Sequence, residues 1–178
     1  AVLIGMVVGC IGAGFSHTLS FVGHLRDQYP FLILGLPFGG LLIVWMYRHF
    51  RNMQDKGVNS VILSVQENQA VPGKMPVMIY FSTTITHLFG GSAGREGAAL
   101  QLGSGLARHT GCILREKDQR MLTICGMSAG FSALFGTPFA ATVFALELAC
   151  VGAMDYRYLL YSTLSALTAK MMAVGLQV

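Results

Sequence analysis

Gly90-Gly91-Ser92-Ala93-Gly94-Arg95-Glu96-Gly97-Ala98-Ala99-Leu100-Gln101 sets two opposite charges among glycines and small residues, between an apolar run ending near Phe89 and a second helical run. Four glycines in its first eight residues let the backbone come close to a ligand or to another backbone. The run from Glu96 to Ala107 predicts a helix, and its first turn points free N–H groups at the glycine break. Such an end is a ready anion site, because unpaired amides coincide there with a macrodipole worth roughly half a positive charge. Arg95 adds positive charge, so Gly94, Arg95, Glu96, Gly97 and Ala98 form the candidate anion site. Glu96 is a carboxylate at the place where an anion binds; it can fill the site itself and leave when protonated or displaced, which makes it a candidate gate. A glycine turn followed by an acidic first helical turn also has a purely structural reading. A nucleotide loop is excluded: no Gly-Lys-Ser/Thr follows, and Gly103-Ser104-Gly105-Leu106-Ala107-Arg108 lacks the third glycine of a dinucleotide fingerprint.

Downstream, Met121 to Phe135 and Thr137 to Cys150 are apolar runs hinged at Gly136-Thr137-Pro138, where Thr137 reads as an N-cap and Pro138 as the first helical residue. Each is shorter than a bilayer crossing, and together they are too long for one straight span. Broken helices whose ends meet in mid-membrane present backbone charge to ions. Glu147 sits near the end of the second run, where it can reach the interface.

These two blocks carry a resemblance. Gly91 to Gly97 with Gln101-Leu102-Gly103 resembles the Gly-Arg/Lys-Glu-Gly-Pro motif of the chloride channel and anion/proton antiporter (CLC) family. Gly126 to Pro138, followed by Phe144-Ala145-Leu146-Glu147, is similar to that family's glycine-rich helix, proline-started helix and closing Phe-x-x-Glu. The resemblance implies an all-α integral membrane fold in which residues 1–178 are a single, partial transmembrane domain, the N-terminal half of an inverted-repeat transporter with broken helices meeting in mid-membrane. It implies transport of a halide and protons through a bilayer by a homodimer, with no enzymatic activity and no cofactor. Three departures from the family pattern coincide. The serine-bearing Gly-Ser-Gly-Ile-Pro motif is replaced around Val58 and Asn59, either of which is then the anion contact from the cytoplasmic side. Ala98 stands where the motif has proline, and Leu148 where the chloride/proton antiporters keep an internal proton-transfer glutamate. A branch of the family that exchanges fluoride for protons departs at the same places, so fluoride is favoured over chloride. The alternatives are a passive chloride channel, or a polytopic membrane enzyme or assembly subunit whose glycines serve helix packing only.

Composition agrees with a membrane protein: hydrophobic residues make up 53% and charged residues 11%, less than half the roughly 25% of soluble domains. The net charge of +4 is spread between apolar runs rather than gathered in a patch, which argues against a nucleic-acid partner. The four cysteines and five histidines show no metal or disulfide spacing. No side-chain nucleophile or metal ligand set is identified.

From the start of the chain, Ala1 to Val22 carries no charged side chain and is long enough to cross a hydrocarbon core, and Gly5-Met6-Val7-Val8-Gly9 supplies a small-xxx-small face. Phe31 to Tyr47 is a second apolar run, with Pro37 predicting a kink. Asp55 to Gln69 reads as an amphipathic surface helix. Met75 to Phe89 reads as an uncharged helix whose Ser82, Thr83, Thr84 and Thr86 mostly bond back to their own backbone. Asp155, Arg157 and the tyrosines 156, 158 and 161 form an interfacial belt before a last span from Leu159 to Val178. The sequence starts without methionine and ends inside an apolar run, as expected of a piece of a longer chain.

Basic residues cluster at 48–56 and again at 108–120, so the positive-inside rule puts both loops in the cytoplasm of a multi-pass cell-membrane protein. Cysteines introduced at Asn52 and Gln119 on a cysteine-free background are therefore expected to resist an impermeant thiol reagent applied outside intact cells. Labelling of either site from outside contradicts the orientation.

Overall fold

The computed structural model describes residues 1–49, 59, 61–62, 74–149 and 155–177. Among these, seven α-helices follow one another: α1 Val2–Gln28, α2 Leu36–His49, α3 Met75–Leu88, α4 Arg95–Ile113, α5 Gln119–Phe135, α6 Pro138–Ala149 and α7 Leu159–Gly175. Short 3₁₀ turns, Pro30–Gly35 and Tyr156–Tyr158, precede α2 and α7. Val2–Gln28 and the stretch Pro30–His49 are long and apolar enough to cross a membrane.

Most boundaries agree with the sequence expectation, and three differ for physical reasons. The first helix runs past Val22 to Gln28, carrying His24, Arg26 and Asp27 at its end, where Arg26 pairs with Asp27 at 2.9 Å. It stops just before Pro30, because the residue ahead of a proline is pushed out of the helical region. Pro37 does not kink a helix. It occupies the first turn of α2, where its missing N–H costs nothing, and the irregularity falls instead in the 3₁₀ turn ahead. The helix expected over Glu96 to Ala107 begins at Arg95 and runs on through Arg108 and His109 to Ile113. The amphipathic stretch 55–69 lies outside the described residues, except that Asn59, Val61 and Ile62 are helical. The hydroxyls of Ser82, Thr84 and Thr86 do donate to carbonyls of their own helix.

Small residues set the packing distances. On α4 and α5, Gly103 and Gly126 meet backbone to backbone, and a Cβ on either would collide with the carbonyl oxygen of the other. One turn further along, a Cβ on Gly130 would lie 2.5 Å from the Ala99 carbonyl oxygen. The Gly5–Gly9 face packs on α7, where a Cβ on Gly9 would lie 2.8 Å from Ala169 Cα. This is the small-residue solution to helix association in lipid, where burial of apolar surface supplies no net drive and close van der Waals contact must. Buried serines add bonds across the α5–α7 seam. Ser128 donates to the Ser162 carbonyl at 3.1 Å, Ser132 to Ala166 at 2.7 Å, and Ser165 back to Cys125 at 3.1 Å.

The apolar core lies in three clusters. One joins α1, α4, α5 and α7 around Val8, Ala107, Cys125 and Ala169; a second joins α4, α5 and α6 around Leu100, Met127 and Leu146; a third holds Phe15, Leu19, Met75, Ile79 and Ala98 together. Overfilling the glycine contact should be expensive, since forcing added carbons into a packed interface costs typically about 1–3 kcal/mol. Gly126→Val is expected to lower the thermal midpoint of the purified full-length protein or abolish its folding. Gly14→Ala, whose Cβ meets open space, is expected to leave that midpoint unchanged or raise it slightly. Equal behaviour of the two variants contradicts the close approach.

Candidate functional site

The end of α3 builds the approach to α4. Gly90 takes the left-handed conformation at φ 75°, its N–H bonds the His87 carbonyl at 3.1 Å, and the Gly91 N–H reaches back to Thr86 at 2.8 Å. This paired arrangement closes the helix and satisfies carbonyls that would otherwise be orphaned; glycine fits the left-handed position without steric cost. Residues 91–94 then run without regular structure, and Gly94, at φ −68° and ψ 120°, is the N-cap of α4.

Having no side chain, Gly94 gives the first turn of α4 no cap, and a Cβ there would meet open space. The amides of the first turn thus keep the hydrogen-bonding capacity that Ser, Thr, Asp or Asn would normally absorb. Gly94, Arg95 and Glu96 are exposed, while Ala98, Ala99 and Leu100 directly after them are buried. Among the described residues Glu96 makes no hydrogen bond and no ion pair, and Arg95 beside it makes none either. A free carboxylate on the first turn of an uncapped helix is drawn by the dipole toward the position an external anion would take.

The rest of the fold brings two further helix ends near this height. Leu134, one residue before the last of α5, packs on the cluster that contains Ala98, so the break between α5 and α6 lies level with the start of α4. At that break Gly136 is left-handed at φ 67° and bonds Ser132 at 2.9 Å, and α6 begins at Pro138 with the Ala141 N–H on the Thr137 carbonyl at 2.9 Å. The expected hinge is thus present. The end of α7 meets α1 part-way along its length, where His17 Nε2 lies 2.9 Å from the Leu176 carbonyl oxygen.

Of the two residues considered for a second anion contact, Val58 lies outside the described residues. Asn59 is helical and exposed. Two residues on, Val61 is buried against Leu100, one turn past Glu96, and against Leu146 and Ala149 of α6. The structure brings Gly94 to Ala98 together in one turn and shows no contact between Asn59 and that turn. Glu147 is exposed on α6, and Leu148 packs beside Tyr158 on the second apolar cluster.

Sequence reading missed a polar cavity at the opposite end of α4. It has a volume of about 620 Å³ and is lined by Ala1, Glu116, Asp118, Met121, Arg157, Tyr158 and Tyr161. Asp118 caps α5, accepting from the Met121 N–H at 2.9 Å, and Arg157 holds Asp155 at 2.8 Å. Those Arg157 hydrogen bonds keep the Asp155 carboxyl below its usual range. Burial, and after it the Asp118 charge, pushes the Tyr158 phenol above its usual range. The helix-start signal of Asp118 was legible in the sequence. Its meeting with Tyr158, forty residues away, was not.

Comparison with known proteins gives a consistent picture. The family model described as voltage gated chloride channel matches residues 39–177. The chloride/fluoride channel protein of Pseudomonas syringae pv. tomato is 34% identical over 170 residues, covering 94% of this chain and 38% of that protein. The H(+)/Cl(-) exchange transporter ClcA of Vibrio vulnificus is 24% identical over 194 residues, covering 97% of this chain and 40% of that protein. Among solved structures, that of a CLC-type fluoride/proton antiporter superposes with a TM-score of 0.92 at 38% identity, covering 98% of this chain and 45% of that one. The chain therefore spans less than half the length of these relatives.

Proposed function

This chain belongs to the voltage gated chloride channel family, and on that premise we propose that the protein it is part of exchanges halide anions for protons across a cell membrane, with fluoride preferred to chloride. The observation that carries the reading is the uncapped start of α4 with the unpartnered Glu96 on its first turn. Gly94, Arg95, Glu96, Gly97 and Ala98 hold the anion, and Glu96 is the gate. When ionised it occupies the helix start in the anion's place. When protonated it loses its attraction to the dipole and yields, so each swing links a proton to an anion.

Fluoride suits such a site because it is small, strongly hydrated and a strong hydrogen-bond acceptor, and aligned amides repay part of its lost hydration. Support also comes from the two relatives whose names include fluoride, each at 34% identity or above. The replaced serine motif, Ala98 and Leu148 point the same way. Asn59 or Val58 supplies the contact from the cytoplasmic side. Residues 1–178 form one partial transmembrane domain, the N-terminal of two halves, and the pathway is completed by the rest of the polypeptide. The basic segments 48–56 and 108–120 face the cytoplasm. Uncovered apolar side chains on α6 and α7, among them Phe139, Val143, Leu160 and Met171, support burial against a second copy in a homodimer and against lipid. Leu148 favours one competing reading, a passive channel, because it removes a titratable group from α6.

The test is flux from liposomes holding the purified full-length protein. An imposed proton gradient is expected to drive fluoride, and fluoride is expected to leave faster than chloride. Glu96→Gln is expected to abolish the proton dependence while fluoride permeation persists or rises; a merely structural role predicts only a small stability loss of about 1 kcal/mol or less. Retention of pH-dependent transport in the mutant removes the gate, and faster chloride removes the fluoride assignment.

A further inference from the structure

Among the described residues α2 meets the rest of the fold lightly. Gly39 is its one buried residue, and the side chain that closes over it is the ring of Phe89. A Cβ on Gly39 would lie 2.5 Å from Phe89 Cδ2, and a Cβ on Gly35, four residues earlier, would lie 2.6 Å from Phe89 Cε1, so the ring lies across both glycines with one edge on each. Neither glycine takes a left-handed conformation, so the backbone does not call for glycine at either place. What the missing side chains supply is room for the ring. Phe89 also borders an apolar groove of about 340 Å³ shared with Tyr29, Phe31, Leu32 and Gly35, which leaves the ring space to turn out of its seat if that room is filled.

Phe89 is the residue that closes α3, with its N–H on the Ile85 carbonyl at 3.2 Å, and only Gly90 to Arg95 separate it from Glu96. The near half of that link is fastened. Gly90 and Gly91 bond back to α3, the Ala93 N–H bonds the Gly91 carbonyl at 3.1 Å, and a Cβ on Gly91 would lie 3.2 Å from Leu36 Cδ1 at the start of α2. We propose that Phe89 is a positioning residue of the anion site: seated on Gly35 and Gly39, it fixes through this short link where the uncapped start of α4 stands. The proposal deepens the halide exchange described above and rests on it. First-turn amides hold a small anion only at hydrogen-bond distance and in line, so a displacement of a fraction of an ångström weakens every bond of the set at once. Phe89 acts through the backbone, by holding the helix start in the place where the anion meets those amides.

The experiment uses the purified full-length protein in liposomes and measures the fluoride concentration that half-saturates transport together with the maximal rate. Phe89→Ala is expected to raise the half-saturating concentration on the order of tenfold while changing the maximal rate by about twofold or less. Phe89→Tyr keeps the ring and is expected to behave as the wild type. Phe31→Ala removes a neighbouring ring of the same groove, 80% exposed and away from both glycines, and is expected to change nothing. Gly39→Ala puts a Cβ in the ring's place, so it is expected to reproduce the Phe89→Ala effect, and the two combined are expected to be no worse than either alone. Phe89→Leu keeps bulk without the width of the ring; it is expected to fall between wild type and alanine, and carries the test if Phe89→Ala does not fold. Unchanged half-saturation in the Phe89 and Gly39 variants, an equal loss from Phe31→Ala, or additive losses in the double variant overturns the inference. A wild-type protein that moves no fluoride overturns instead the function on which it rests.

Discussion

Contact between the backbones of α4 and α5 at Gly103 and Gly126 is the constraint on which the remaining geometry depends. It holds the two helices closer than any side chain would allow, and it sets the register of one along the other. The start of α4 and the end of α5 consequently fall at one level, with Ala98 and Leu134 on a shared apolar cluster. Helix ends are normally kept at a water interface because their free amides and carbonyls are costly to bury. Here Gly94 to Glu96 at the start of α4 and Phe135 to Thr137 at the break after α5 are all exposed.

Capping chemistry distinguishes the two ends of this arrangement. At the start of α5 the Asp118 side chain satisfies the first turn, and at the end of α3 Gly90 and Gly91 close the carbonyls. The start of α4 has neither device, only Gly94. With glycine at the N-cap in place of a capping side chain, the helix gives up only roughly a few tenths of a kcal/mol. The bare start of α4 beside the Glu96 side chain supports the proposed exchange of Glu96 for an anion at that position. Membership of an anion-transporting family supports the same conclusion from a separate direction.

Much of this was legible in the sequence. Glycine and proline impose local geometry whatever surrounds them, so the Gly90–Gly94 break, the hinge at Gly136-Thr137-Pro138 and the small-residue face of Gly5 and Gly9 could be read directly. Features decided by competition between local signals were misplaced. Charges at Arg26 and Asp27 suggested an early end to α1, whereas a helix end tolerates them and only Pro30 stops it. Pro37 suggested a kink, and its place in the first turn of α2 made it a helix start. Features that depend on distant segments meeting were not legible at all. Glu116, Asp118 and Tyr158 read separately as loop and interface residues, and only the packing of α7 beside the α4–α5 turn joins them in one cavity.

The central claim is that Glu96 and the transported anion compete for the same helix start, and calorimetric titration of the purified full-length protein with fluoride tests it most directly. At neutral pH, fluoride is predicted to bind the Glu96→Gln variant more tightly than the wild type, and lowering the pH is predicted to tighten binding in the wild type while leaving the variant unchanged. Equal affinity of the two proteins at neutral pH, with the same pH dependence in both, would contradict it.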